Sequence, residues 1–192
     1  HAGGRTIVAH LGSGASLCAM DRGASVATTM GFSALDGLMM ATRCGAIDPG
    51  ILLHLAEAHD MDATALSDLL YRRSGLLGVS GLSGDMQLLL ESKAPQAAEA
   101  IDLFVYRTVR AIGSLVPVLG GLDRLVFTAG IGENSPMIRQ RICDGTAWLG
   151  VHVDNDANQR GAGIISSPAS SVTVHVMAAD EARAIAEGVV SL

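Results

Sequence analysis

No window of this 192-residue chain holds the roughly 18 uninterrupted apolar residues that a membrane-spanning helix requires. Its opening His-Ala-Gly-Gly-Arg lacks the apolar stretch of a signal peptide, so the expectation is a cytoplasmic protein with no membrane partner. Cysteine is also scarce. Cys18, Cys44 and Cys143 are odd in number, far apart and form no CxxC pair, which argues against a disulfide framework or a zinc site. Positive charge is in short supply, with 13 Lys and Arg against 19 Asp and Glu for a net charge of -6. The one basic cluster, Arg72-Arg73, is too small to engage a phosphate backbone, so nucleic acid is excluded as a partner. Only 17% of residues are charged while 49% are hydrophobic, which describes a chain that buries a core. Length and composition fit a single domain over 1–192.

What is present is a recognisable order of elements. Arg5 to His10 reads as a buried strand, Leu17 to Met20 as a second, and the glycine-rich segment between them as a hairpin tip. Asp21-Arg22-Gly23 is a turn, and Ala24 to Thr29 gives a third strand. Apolar residues then recur every three or four positions over 50–59 and 64–71, which predicts two helices. His54 and His59 lie five apart, off the i,i+4 face that a metal pair uses, and read as non-ligands. Pro95 suits the first turn of a long helix that stops at Gly120-Gly121, with Pro117 bending or fraying its last turn. The Ile101 to Leu119 stripe of that helix is core or dimer interface. Arg124 to Thr128 predicts a strand, Pro136 the start of a helix, and Val172 to Met177 a last strand, with Asp180 capping a closing helix. The expected fold class is α/β, a mixed sheet in βββ-helices-βαβα order, parallel in its later part.

Three glycine-rich segments stand at expected strand ends: His10-Leu-Gly-Ser-Gly-Ala-Ser16, Gly78-Val-Ser-Gly-Leu-Ser-Gly-Asp85 and Thr128-Ala-Gly-Ile-Gly-Glu-Asn134. Glycine lets a backbone turn sharply and approach a ligand closely, so that successive N–H groups face phosphate oxygens. None matches GxxxxGK[ST], and no GxGxxG opens a helix after a strand. Taken singly, each reads as a tight turn. Arg43 alone reads as a surface or ion-paired arginine, His10 as a hydrogen-bonded structural histidine, and Glu181 as an acid in a first helical turn.

In order and spacing, however, these segments resemble the second domain of the acetate and propionate kinase family, within the actin, sugar kinase and Hsp70 superfamily. The resemblance also takes in Met30-Gly-Phe-Ser-Ala-Leu-Asp-Gly37 and Thr42-Arg-Cys-Gly-Ala-Ile-Asp-Pro49, and it runs across essentially the whole chain. It implies a ribonuclease-H-like fold, with ATP or ADP and Mg²⁺ as ligands and a short-chain carboxylate as phosphoryl acceptor. By the same resemblance His10 and Arg43 are catalytic, Arg43 as a bidentate cation at the transition state. The nucleotide-contact set is His10, Leu11, Gly12, Ser13 and Gly14, then Asp85, Met86 and Gln87, then Gly130, Ile131, Gly132, Glu133 and Asn134. Glu181 matches the acidic residue that the family uses for Mg²⁺. The implied assembly is a homodimer.

The family is about twice as long, so this chain is expected to be its C-terminal nucleotide-binding half, with the N-terminal domain absent and activity alone doubtful. Several positions depart from the family pattern. Ser13 replaces Asn in the phosphate loop, Gln87 replaces an arginine near the nucleotide, and Ala27 and Ala182 replace acids. Ala41 stands where glycine is usual, where its methyl is expected to crowd the backbone. The implied reaction is ATP + acetate to ADP + acetyl phosphate. The alternatives are a degenerate nucleotide-binding module without kinase activity and a dimerising structural domain.

Overall fold

The computed structural model describes residues 4–179. Three strands open the chain: β1 (Arg5–Leu11), β2 (Ala15–Asp21) and β3 (Ala24–Thr28). Ile7, Ala9 and Leu11 of β1 alternate inward with Leu17 and Ala19 of β2, which is the period-two burial of a sheet covered on that face. β1 pairs antiparallel with β2, and β2 with β3, as a meander. Two later strands, β4 (Arg124–Thr128) and β5 (Thr173–Val176), add in parallel on the far side of β1. The five-stranded order is β3-β2-β1-β4-β5. This is the mixed α/β sheet expected, with helical crossovers leading to β4 and to β5.

Between β3 and β4 run α1 (Pro49–Ala58), α2 (Ala63–Arg72), α3 (Gly75–Ser80), α4 (Met86–Glu91) and α5 (Pro95–Leu119). Asp48 and Asp62 cap α1 and α2 by accepting from Gly50 N–H and Ala65 N–H, one of the four donors that each helix start leaves unpaired. α5 lies across β1, β2 and β3 and carries the core: Ile101, Phe104, Ile112 and Leu115 are buried. Most of the apolar stripe is therefore core, with Val109 and Leu119 half-buried. The helix runs through Pro117 and ends at Gly120, whose φ of 69° is the left-handed stop that glycine supplies. The terminal carbonyls of Val116 and Pro117 accept from Gly121 and Gly120 N–H.

After β4 come α6 (Ala129–Asn134), α7 (Pro136–Gly145), a single 3-10 turn (Ala147–Leu149) and α8 (Asn155–Gln159). Two expectations are corrected here. Gly78–Asp85 is not at a strand end but joins α3 to α4, and Ala129–Asn134 is a helical turn of its own rather than a glycine loop. Asp180, Glu181 and Ala182 lie outside the described residues. No helix among the described residues is long and apolar enough to cross a membrane.

Candidate functional site

The parallel strands β1 and β4 end side by side, with His10 in register with Thr128, so the β1–β2 tip and the start of α6 meet. At that tip Gly12 N–H donates to Gly14 C=O at 2.9 Å and closes the turn. Gly12 is therefore not an amide offered outward, and the outward donors of the turn reduce to Ser13 and Gly14. A Cβ on Gly14 would stand 4.0 Å from the Arg43 guanidinium, in the space between turn and cation.

Arg43 is held in place from both sides. Ala41 N–H donates to Ser13 C=O at 3.0 Å, which ties the segment to the hairpin tip. The carbonyls of Met40, Ala41 and Thr42 accept from Leu76, Leu77 and Ser74 N–H at the start of α3. Gly75, at φ 64°, permits that approach, since a Cβ there would lie 2.2 Å from Met40 C=O. The guanidinium itself donates to Ala34 C=O at 3.1 Å. Ala41 lies against Gly84, where a Cβ would come within 3.3 Å of the Ala41 methyl.

These elements frame two adjoining hollows that share Gly12, Ser13 and Gly130 as common walls. One, of about 500 Å³, is bordered by His10, Gly14, Arg43 and Ala129. The other, of about 630 Å³, is bordered by Asp85, Met86, Gln87, Ile131 and Asn134. Residues distant in sequence, from β1, the α3–α4 junction and α6, thus share one cleft. A third hollow, of about 540 Å³ beside Arg107 and Arg110, contains none of the expected site residues.

Within the cleft the expected residues divide by role. Gly130 faces open space, whereas Gly132 is buried and a Cβ there would meet the Phe127 backbone at 3.4 Å. Leu11 and Met86 are core residues; Leu11 borders neither hollow, and Met86 borders the second. The Asp85 carboxylate caps α4 by accepting from Gln87 and Leu88 N–H. Gln87 donates to Glu91 on its own helix, and Asn134 to Gly130 C=O. The Glu133 carboxylate accepts from Ala129 and Ala179 N–H. His10 borders the hollow that holds Arg43. Met30 and Met40 line that hollow as well, and Pro136, Met137 and Gln159 line the other. Met30 sits inside a recognised segment, and Met40 and Met137 lie two or three residues outside one. Gln159 sits in α8, a helix too short to give a periodic signal.

Behind the cleft the guanidinium of Arg139 is buried, an uncommon place for a cation. It donates to Gly132 C=O, Glu133 C=O and both oxygens of Asn158, at 2.7 to 2.9 Å. Burial pulls its pKa below the usual arginine value. The carbonyls it satisfies are those at the end of α6, where a helix leaves acceptors unpaired.

The two hollows differ in character along the cleft. The glycines leave backbone uncovered along one wall, Arg43 supplies a cation at one end, and apolar Ile131 and Met137 line the other. No group of three His, Cys, Asp or Glu side chains stands together among the described residues, so they form no cage for Mg²⁺. That is compatible with an ion carried mostly by phosphate oxygens and water, with one or two carboxylates.

Comparison with known proteins identifies a family. Residues 2–187 match the model of the acetokinase family. An acetate kinase of Rhodopseudomonas palustris (strain TIE-1) is 60% identical over 98% of this chain, and one of Methylocella silvestris is 50% identical over 100% of this chain. The chain spans 48% of each of these curated relatives. Among solved structures, Porphyromonas gingivalis acetate kinase superposes with a TM-score of 0.93 at 36% identity, covering 98% of this chain and 49% of that one. A propionate kinase from Francisella tularensis gives 0.89 at 37% identity, covering 93% and 47%. On sequence and on structure alike, the chain belongs to the acetokinase family.

Proposed function

We propose that this chain is one nucleotide-binding domain, the C-terminal half of an acetate kinase, and that it serves ATP + acetate to ADP + acetyl phosphate when its partner half is present. The observation that carries this is the shared cleft, in which an uncovered glycine wall, Arg43 and a partly apolar pocket form one continuous surface. Phosphoryl transfer calls for alignment and charge neutralisation more than for covalent chemistry by the protein. A carboxylate oxygen of acetate bonds to the γ-phosphorus while the bond to the bridging oxygen breaks, and ADP leaves.

In this scheme Ser13 and Gly14 amides hold phosphate oxygens, and Gly130, Ile131 and Asn134 bracket the adenosine with the backbone of Asp85 to Gln87. Arg43 faces the γ-phosphate. Its planar fork donates to Ala34 C=O from a segment whose backbone the amides of Ser74, Leu76 and Leu77 hold, and meets charge as it spreads over the equatorial oxygens. His10 stands beside the transferring group as a hydrogen-bond donor. Mg²⁺, when bound, neutralises phosphate charge, and Glu181 is its protein ligand in this reading. The acceptor pocket for acetate or propionate belongs to the other half. A homodimer in the cytoplasm completes the picture, supported by α1, which buries no residue and exposes Ile51 and Leu53.

A second reading is favoured by Gln87, which turns to Glu91 where the family has an arginine. In it the chain binds nucleotide but transfers nothing. Mixing this chain with a separately produced N-terminal half and assaying acetyl phosphate decides between the two. Formation of acetyl phosphate, falling about 10³-fold or more in Arg43→Ala, is the result expected for a transition-state arginine. Nucleotide binding with no acetyl phosphate at any ratio of halves leaves the second.

A further inference from the structure

We propose that Glu133 is a positioning residue, whose carboxylate fastens the ends of β4 and β5 to each other and so shapes the phosphate end of the cleft. The inference rests on the nucleotide site proposed above, but it assigns Glu133 a task other than direct contact with nucleotide. One oxygen, Oε1, accepts from Ala129 N–H at 2.9 Å and from Ala179 N–H at 2.8 Å. Both donors sit just past parallel strands. Ala129 follows β4 directly, and Ala179 lies three residues beyond the last residue of β5. The β4–β5 ladder ends at Phe127 opposite Val176, extended by Met177 N–H to Phe127 C=O. Past that point the strands have no shared ladder, and the Glu133 carboxylate continues the tie with a side chain.

Its two partners border the hollow that contains His10, Ser13, Gly14 and Arg43, while Glu133 itself borders neither half of the shared cleft. Ala129 is the more demanding partner. Its φ of 65° is left-handed, an uncommon state for alanine, and an ideal Cβ on Gly12 would lie 3.5 Å from the Ala129 methyl. A backbone in that state keeps its place only when neighbours over-determine it. A charged acceptor shared by two amides supplies such a constraint, because hydrogen bonds to an ionised oxygen are the stronger kind. The α6 terminus that bears Glu133 is itself held through the Arg139 guanidinium, so the carboxylate projects from a fixed base.

The tie acts at the phosphate end and not at the purine end, which gives it a signature that general loosening lacks. Titrating wild type, Glu133→Ala and Glu133→Gln with ADP and, separately, with adenosine reads it out. Glu133→Ala is expected to weaken ADP about tenfold, the worth of one charge-assisted tie, and to leave adenosine within about twofold. Glu133→Gln, whose carbonyl oxygen still accepts from both amides, recovers most of the ADP affinity. Amide hydrogen exchange at Ala129 and Ala179, faster in Glu133→Ala alone, registers the tie itself with no ligand present. Equal ADP affinity in Glu133→Ala and wild type overturns the proposal, and so does a parallel loss of ADP and adenosine. Failure of the wild type to bind ADP strikes instead at the nucleotide site, and the exchange rates then still decide whether the carboxylate holds the two strand ends.

Discussion

Gly130 and Gly132 stand two residues apart in the same short helix and face opposite ways. Gly130 has nothing within 4 Å of where its Cβ would be, and Gly132 packs on Phe127 and Ala9. Gly130→Leu is therefore expected to fill the cleft while leaving the melting temperature near that of wild type. Gly132→Leu overpacks the contact with β1 and β4 and costs about 1–3 kcal/mol by urea denaturation. Ala129 supplies a second test. Replacing it by glycine relieves a left-handed alanine and is expected to stabilise the fold by roughly 0.5–1 kcal/mol, read from the urea midpoint. At this scale the sequence names the right glycines without telling them apart. Both lie in one motif, and only the helical turn of α6 sends one to the cleft and the other to the sheet. The use of Gly12 N–H inside its own turn was hidden for the same reason, since a hydrogen bond to Gly14 C=O leaves no trace in residue type.

The elements were legible where they were long. α5 declares itself by its stripe, its leading Pro95 and its closing glycines, and β1, β2 and β4 by their apolar runs. α3, α4, α6 and α8 span five or six residues each, too few for a helical period to repeat. α6 even contains two glycines, which argue against helix. It forms because Arg139 satisfies its terminal carbonyls and Glu133 its first amide. Arg139→Met keeps much of the volume but strands four acceptors, three of them buried, and a loss of about 3 kcal/mol or more by urea denaturation is expected.

A second clamp joins β1 to β4 at their other ends. The Arg5 guanidinium donates to both oxygens of Asp123 and to Gly120 C=O, and holds the Asp123 carboxyl at about 2, below its usual range. The carboxylate is thus favoured in the folded state. Its contribution is complete above the unfolded value near 4 and fades as pH falls through about 2. Asp123→Asn is expected to flatten the stability of the protein between about pH 4 and pH 2 relative to wild type, followed by acid-dependent urea melts. A curve parallel to wild type across that window contradicts the clamp.

At the scale of the whole molecule, the family match covers residues 2–187 while the chain spans about half the length of its curated relatives. The sheet brings the hairpin tip, the Arg43 segment and α6 to one cleft, although 119 positions separate His10 from Ala129. Sequence order could suggest that convergence only through the family resemblance, because strand order β2-β1-β4 is set by pairing between segments far apart. The proposed homodimer is checked by sedimentation equilibrium, for which a single species of twice the 19.7 kDa chain mass is expected.

The central claim is that the cleft between the hairpin tip, the α3–α4 junction and α6 holds an adenine nucleotide. Isothermal titration with ADP of the wild-type chain and of Gly130→Leu, each with its melting curve, tests it most directly. Saturable heat in the wild type that disappears in an equally stable Gly130→Leu is the result predicted. No heat and no thermal shift in the wild type at millimolar ADP, or unchanged binding by Gly130→Leu, would contradict it.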